Sequence, residues 1–175
     1  EAANIAPSQV EVIECHATGT PLGDKVELSS MEQFFGPRLE GSAAPKIGSV
    51  KSNLSHLLTA AGMAGIIKLL LSMKHKLLPA SVRISAPLSS PNGVFGEHNI
   101  VRSTIPWPTK ADNTGPVAGV SVFGFGGCNA HLLLTGPDAA KELIPAKPSP
   151  GAAAHQGTDG LAIEGAAAHF GAADS

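Results

Sequence analysis

Cysteine is scarce in this chain: Cys15 and Cys128 are the whole supply. One pair builds no disulfide framework, so a reducing, cytoplasmic compartment is the expectation. Their spacing fits no zinc motif, and the seven histidines form no HxxxH pair or His/Cys cluster, so no metal centre is expected. An excess of positive charge is missing too, and a net charge of −2 leaves no basic footprint for nucleic acid. No unbroken apolar run approaches the roughly 18–20 residues of a bilayer-crossing helix, so no membrane span is expected. The opening EAANIAPSQV has neither the cationic start nor the apolar core of a signal peptide, and it reads as a point inside a larger chain. What the chain does have is apolar residues, 43% of the total, enough for a sizeable core.

Apolar and polar residues alternate in Val10–Glu14 (VEVIE), which predicts a strand. It runs into CHATGTPLGD, where Gly19, Pro21 and Gly23 enforce an irregular loop headed by His16. Asp24 reads as an N-cap, with Glu27 as its capping-box partner, and a helix over Lys25–Phe35 follows until Gly36-Pro37 stops it. Arg38–Pro45 is a surface loop. KIGSVKSNLSHLLTAAGMAG then supplies a short strand around Ile47 and Val50, a polar bend with Lys51, Asn53 and His56, and a helix over Leu57–Lys74 that is apolar on nearly every face. Lys68 and the small Gly62, Ala64 and Gly65 predict close packing of that helix inside the protein. Taken alone, the bend reads more safely as a capped helix carrying an incidental histidine than as a catalytic His and Lys on a strand-to-helix turn.

Strand, loop, helix, strand, loop, helix is the alternation of a layered α/β sheet. Two polar loops that follow successive strands lie side by side at one sheet edge, which brings His16 and His56 together. Leu77–Pro108 is rich in Pro, Gly, Ser and Asn and reads as a long ordered connection with Trp107 packed beneath it. Pro116–Leu134 returns to strand character: two strands joined through Gly124, Gly126 and Gly127, which let backbone N–H groups approach a ligand. Residues 136–160 read as an Ala/Pro/Gly-rich linker with a solvated His155, and 161–175 hold a short apolar strand and a Gly/Ala turn.

Three motifs stand in order: HATGTPLGD at His16–Asp24, KSNLSH at Lys51–His56 and GFGGCNAH at Gly124–His131. Together, across about residues 5–135, they resemble the second half of a β-ketoacyl synthase (ketosynthase) domain of the polyketide and fatty-acid synthase type. The resemblance implies a thiolase-like αβαβα layered fold, with residues 1–135 as its C-terminal half. It implies a decarboxylative Claisen condensation of an acyl thioester with a malonyl thioester on acyl carrier protein. His16 and His56 match the catalytic histidines and Lys51 the supporting lysine. Thr18 and Thr20 match the threonines that hold the phosphopantetheine arm; no cofactor is bound directly. Phe123 is expected to give a backbone N–H to an oxyanion hole, with Gly124 beside it and Phe125 as the gate. The nucleophilic cysteine belongs to the other half of such a domain, so these residues by themselves are expected to be inactive.

The chain departs from the pattern at several places. Ala17 and Ser55 stand where glycine is usual, and both are small enough to keep the backbone path. Gly65 occupies a place where many stand-alone bacterial enzymes carry a glutamate, which favours the multidomain branch. Cys128 replaces a customary Thr, and Cys15 a small apolar residue; both read as spectators. LAIEGAAAHFG resembles the opening of another ketosynthase-like domain, so 161–175 read as the possible start of a chain-length-factor domain, as in polyunsaturated fatty acid synthases, against an unrelated Ala-rich linker. A homodimer or a ketosynthase–chain-length-factor pair is the expected assembly. The alternatives are a non-condensing chain-length-factor or decarboxylating domain, and a non-catalytic dimerisation module.

Overall fold

The computed structural model describes residues 5–111 and 115–136, and the backbone of 163–170. The sequence-based reading of 137–160, His155 included, lies outside the described residues, and the Gly/Ala turn read within LAIEGAAAHFG is instead strand over Ile163–Phe170. The expected alternation is present. Strand β1 (Val12–Glu14) leads to helix α1 (Pro21–Phe35), β2 (Lys46–Gly48), the single turn α2 (Lys51–Leu54) and helix α3 (Ala61–His75). Then come β3 (Leu77–Leu78), β4 (Ile105–Pro106), β5 (Val117–Phe123), β6 (Cys128–Thr135) and β7 (Ile163–Phe170).

One mixed sheet runs in the order β2-β1-β5-β6-β7, and β3 and β4 form a separate ribbon. Strand β1 pairs in parallel with both β2 and β5, while β5 and β6 pair antiparallel from Val117↔Thr135 to Phe123↔Asn129. β1, β2 and β5 therefore point the same way, and the segments leaving β1, β2 and β5 gather at one edge.

Neighbouring residues of β1 serve opposite faces. Ile13 and Cys15 pack with Leu28, Met31 and Phe35 of α1, whereas Val12 packs with Leu69 and Met73 of α3. The sheet is thus buried on both sides between two helices, as parallel strands require. Helix α3 presses close through its glycines, as the small residues predicted. A Cβ at Gly62 would lie 2.9 Å from Val122, and one at Gly65 would lie 3.0 Å from Glu14.

Three further sequence-based readings need correction. Helix α1 starts at Pro21, with Thr20 as an N-cap that makes no side-chain hydrogen bond; Asp24 and Glu27 lie inside the helix and turn their carboxylates back to the preceding loop. The helix expected over Leu57–Lys74 is broken. Ser55 at φ 69° ends α2, and a 3-10 turn over Leu58–Ala60 precedes α3. Nor is that helix buried all round: Met63, Ile67 and Leu71 form an exposed stripe opposite the sheet.

The long connection is ordered by two buried carboxylates. Glu32 accepts hydrogen bonds from Ser90 Oγ at 2.5 Å, from the Asn92 backbone and side chain, and from the Val94 N–H. Glu11 accepts from Trp107 Nε1 at 2.5 Å, from the Lys110 N–H and from the Val117 N–H. Trp107 is buried, as expected. Glu11 and Glu14, the two charged residues of VEVIE, are both buried.

Candidate active site

Two loops and a glycine turn meet at the shared sheet edge. His16 follows β1 directly. Its N–H and that of Ala17 donate to the two carboxylate oxygens of Glu27, each at 2.8 Å, and the Gly19 N–H donates to Asp24 Oδ1. One turn of α1 thereby fixes the entire first loop. His56 follows the α2 turn, which is pinned elsewhere: Asn53 Nδ2 donates to Ala80 O at 3.1 Å, and Ser52 Oγ accepts the Val82 N–H.

The imidazoles of His16 and His56 lie with ring centroids 5.6 Å apart, edge to face, as adjacent strand ends predict. The hydrogen bonds also fix their tautomers. His16 Nδ1 accepts the Phe123 N–H at 3.3 Å, and His56 Nδ1 accepts the Leu58 N–H at 3.0 Å. A ring nitrogen that accepts carries no proton, so each neutral imidazole carries its hydrogen on Nε2 and presents it as a donor. Burial holds His16 below the ordinary histidine range, and the charge of Lys51 and then His56 adds to this. Two N–H donors set beside one another can stabilise negative charge that develops on a substrate oxygen.

Lys51 opens α2 and is half-buried. Burial lowers its pKa, and Glu14, Glu27 and Asp24 oppose that shift as counter-charges. The expected orienting role toward His56 has no hydrogen bond behind it among the described residues; what reaches His56 is the short α2 turn that Lys51 begins. The Phe123 N–H, expected at an oxyanion, is engaged by His16 here, and its ring lies 5.4 Å from the His16 ring. The Gly124 N–H donates to Cys128 O at 2.9 Å, and Gly126 and Gly127 both sit at positive φ, so the turn closes on itself. Phe125 at its tip is fully exposed. Thr18 and Thr20 join their hydroxyls at 3.2 Å on the exposed lip of the first loop.

A cleft of about 610 Å³ opens beside the histidine pair rather than over it; Thr18, Gly19, Asp24, Lys51 and Arg83 are among its walls. Cys15 is buried, and its thiol is pushed well above the ordinary range by burial and by Glu27 and Glu14, which makes it a packing residue. Cys128, expected to be a buried spectator, is exposed.

Sequence reasoning missed two members of this site. Glu27 read as a capping residue, yet it holds the His16 loop. Glu14 read only as the end of a strand, yet its carboxylate is buried, paired with Lys68 Nζ at 2.7 Å and hydrogen-bonded to the Val50 N–H. A signal was present for Glu27, because helix residues one turn past a loop commonly return to its free N–H groups. For Glu14 the partner lies 54 positions away.

Residues 1–85 match the family described as beta-ketoacyl synthase, C-terminal domain. A component of the polyunsaturated fatty acid synthase of Thraustochytrium sp. is 42% identical over 139 residues, which cover 79% of this chain and 6% of that protein. Polyketide synthase ThaG of Burkholderia thailandensis is 39% identical over 166 residues, covering 87% of this chain and 3% of that protein. Among solved structures, the PfaC keto synthase–chain length factor superposes with a TM-score of 0.69 at 51% identity, over 77% of this chain and 14% of that one. Ketosynthase twelve of the bacillaene polyketide synthase from Bacillus amyloliquefaciens gives 0.64 at 35% identity, over 75% of this chain and 23% of that one. The chain therefore spans a small part of the length of the proteins it matches.

Proposed function

Residues 1–85 belong to the β-ketoacyl synthase C-terminal domain family, with a thiolase-like fold, and from that premise we propose that this chain supplies the histidine half of a condensing site in polyunsaturated fatty acid or polyketide synthesis. The carrying observation is the pair of imidazoles 5.6 Å apart, each with Nδ1 occupied by a backbone N–H and Nε2–H left as donor. The substrate is a malonyl thioester on the phosphopantetheine arm of an acyl carrier protein. Its carboxylate leaves as CO2, and the electron pair of the broken C–C bond becomes an enolate whose oxygen receives the two Nε2–H donors. The enolate carbon attacks an acyl thioester on a cysteine from the rest of the domain, forming the new C–C bond and releasing the thiolate. Thr18 and Thr20 receive the arm, Lys51 keeps the site positive, and the Phe123–Gly124–Phe125 turn gates entry through Phe125; for its Phe123 N–H to serve an oxyanion, that group must first leave His16 Nδ1.

The assembly proposed is a homodimer or a ketosynthase–chain-length-factor pair in the cytoplasm. Residues 136–160 act as linker, and 161–175 begin a second ketosynthase-like domain, a reading that requires β7 to exchange its pairing with β6 of this sheet for one in the following domain. Exposed Met63, Ile67 and Leu71 on α3, with Leu22 and Val26 on α1, supply apolar surface for such contacts.

In the full-length synthase, His16→Ala and His56→Ala are each expected to slow CO2 release from malonyl-carrier protein by about 10²–10³-fold. Acyl loading of the cysteine, followed by mass spectrometry, is expected to survive. Equal loss of both steps overturns this division of labour. CO2 release without any condensed product would instead favour the non-condensing, decarboxylating alternative.

A further inference from the structure

The geometry points to Glu14 as a positioning residue that holds the two histidine loops in one register, an inference that rests on the proposed function. Glu14 closes β1, two residues ahead of His16, so its backbone is fixed together with the first loop. Its side chain, 3% exposed, belongs to the second loop. One carboxylate oxygen accepts the N–H of Val50, the residue that caps α2 immediately before Lys51, and α2 delivers His56. The other oxygen pairs with Lys68 Nζ of α3 at 2.7 Å.

Helix α3 leaves a notch for this carboxylate. A Cβ at Gly65 would stand 3.0 Å from Glu14 Cγ and 3.7 Å from Oε1, so a larger residue there would displace the group. Glu27 does no equivalent bridging, because both of its backbone contacts stay within the first loop. An ion pair buried for stability alone is a poor explanation, since well-packed apolar residues often replace such pairs at no loss. What an apolar pair cannot do is accept the Val50 N–H. Glu14 is therefore the link through which a shift of one loop reaches the other, and Lys68 keeps its carboxylate ionised and aimed.

Two double variants of the full-length synthase separate hydrogen bond from charge. Glu14→Gln with Lys68→Met keeps an acceptor for Val50 and leaves no orphaned cation; Glu14→Leu with Lys68→Met removes the acceptor as well. CO2 release is expected to be about ten- to a hundredfold slower in the leucine variant than in the glutamine variant, with cysteine loading alike in both, since a misplacement of about 1 Å can cost that much. Equal rates overturn the inference, and so does a loss of loading that parallels the loss of decarboxylation. Gly65→Ala, which favours helix, serves if neither double variant folds: a several-fold slower CO2 release with intact loading is expected, and an unchanged rate overturns the inference. A readout independent of activity is the separation of the two imidazole rings, 5.6 Å here, which is expected to change in the leucine variant and stay in the glutamine variant. Failure of the proposed function would show separately, as His16→Ala and His56→Ala proteins that still release CO2; the ring separation would then decide the role of Glu14 alone.

Discussion

The two histidines reach one point by different kinds of restraint. The His16 loop is held by carboxylates only 5–11 residues ahead in sequence, on the first turns of the helix the loop itself leads into. The His56 loop is held from far away: Val50 by Glu14, Asn53 by Ala80, and Ser52 by Val82, with separations of 27–36 residues. The first loop is a local unit that charged acceptors close tightly. The second is a short α2 turn between two breaks, Ser55 and the 3-10 turn, whose order comes from the tertiary structure around it. The site thus combines one loop that folds with its own helix and one that is correct only once the sheet and the 80–82 segment have formed.

That contrast is sharpest in stability. Glu27→Ala leaves two N–H groups of the first loop without their charged acceptor. Hydrogen bonds to charged groups contribute about 1.5–3 kcal/mol each, and burial of the carboxylate offsets part of that, so a loss of about 2–4 kcal/mol is expected for the intact domain. Asn53→Ala removes two neutral, solvent-accessible bonds from the second loop, one to Ala80 O and one from Ser52 Oγ, and because water can replace both it is expected to cost only about 0.5–1.5 kcal/mol. Urea unfolding of the two variants checks the order. If Asn53→Ala proves as costly as Glu27→Ala, the local-versus-distant distinction does not hold.

The same distinction explains what could be read from sequence. Adjacent parallel strands, and with them the meeting of His16 and His56, followed from the β-α-β-α alternation, because strand order and loop placement are carried by local pattern and short connections. The buried face of α3 did not follow. Met63, Ile67 and Leu71 are as apolar as Leu69 and Met73, and periodicity cannot say which side a sheet will cover. The break at Ser55–Ala60 was hidden because Leu57 and Leu58 extend an apolar run, and a backbone reversal at Ser55 has no signal in the residue itself. Glu14 and Glu11 were invisible as buried groups for a related reason: nothing in a charged residue of a short strand announces burial, and the cation and N–H groups that satisfy them lie 36–106 positions away.

Both loops contain non-glycine residues in the region of positive φ, Ala17 at 29° in the first and Ser55 at 69° and Leu58 at 52° in the second. Ala17 and Ser55 are the two positions at which the motifs usually carry glycine, so the chain keeps the backbone path there at the cost of strain. A Cβ in that region costs about 1–2 kcal/mol, partly returned when glycine loosens the unfolded chain. Ala17→Gly and Ser55→Gly are each expected to raise stability by about 0.5–1 kcal/mol. The clamped first loop should keep its geometry regardless, whereas Ser55→Gly, next to His56, is expected to loosen the second. Unfolding midpoints and amide exchange at Leu58 would register both effects, and a destabilised Ser55→Gly would show that its side chain contributes more than the strain it brings.

The smallest expected effect is the dependence on pH. His16 is held below its ordinary value of 6.5, first by burial and then by Lys51 and His56. Below that value the unfolded chain takes up the proton before the folded one does, so the folded state binds fewer protons and stability rises with pH. The contribution of His16 is therefore fully present above pH 6.5 and is lost as the pH falls through the lower folded value. Glu14 and Glu27 run the other way, because burial raises both above 4.5; their contribution is present below that value and fades as the pH rises through their folded ones. His16→Asn isolates the histidine: its amide oxygen can still accept the Phe123 N–H, but it does not titrate. Unfolding measured on both proteins from neutral pH downward should show a shallower acid-side decline in the asparagine variant. Protonation at Nδ1 also breaks the bond from Phe123, so decarboxylation in the parent should fall over the same range. Identical acid-side slopes in the two proteins would mean that His16 takes up its proton as readily in the folded chain as in the unfolded one, and that burial beside Lys51 does not hold its pKa down.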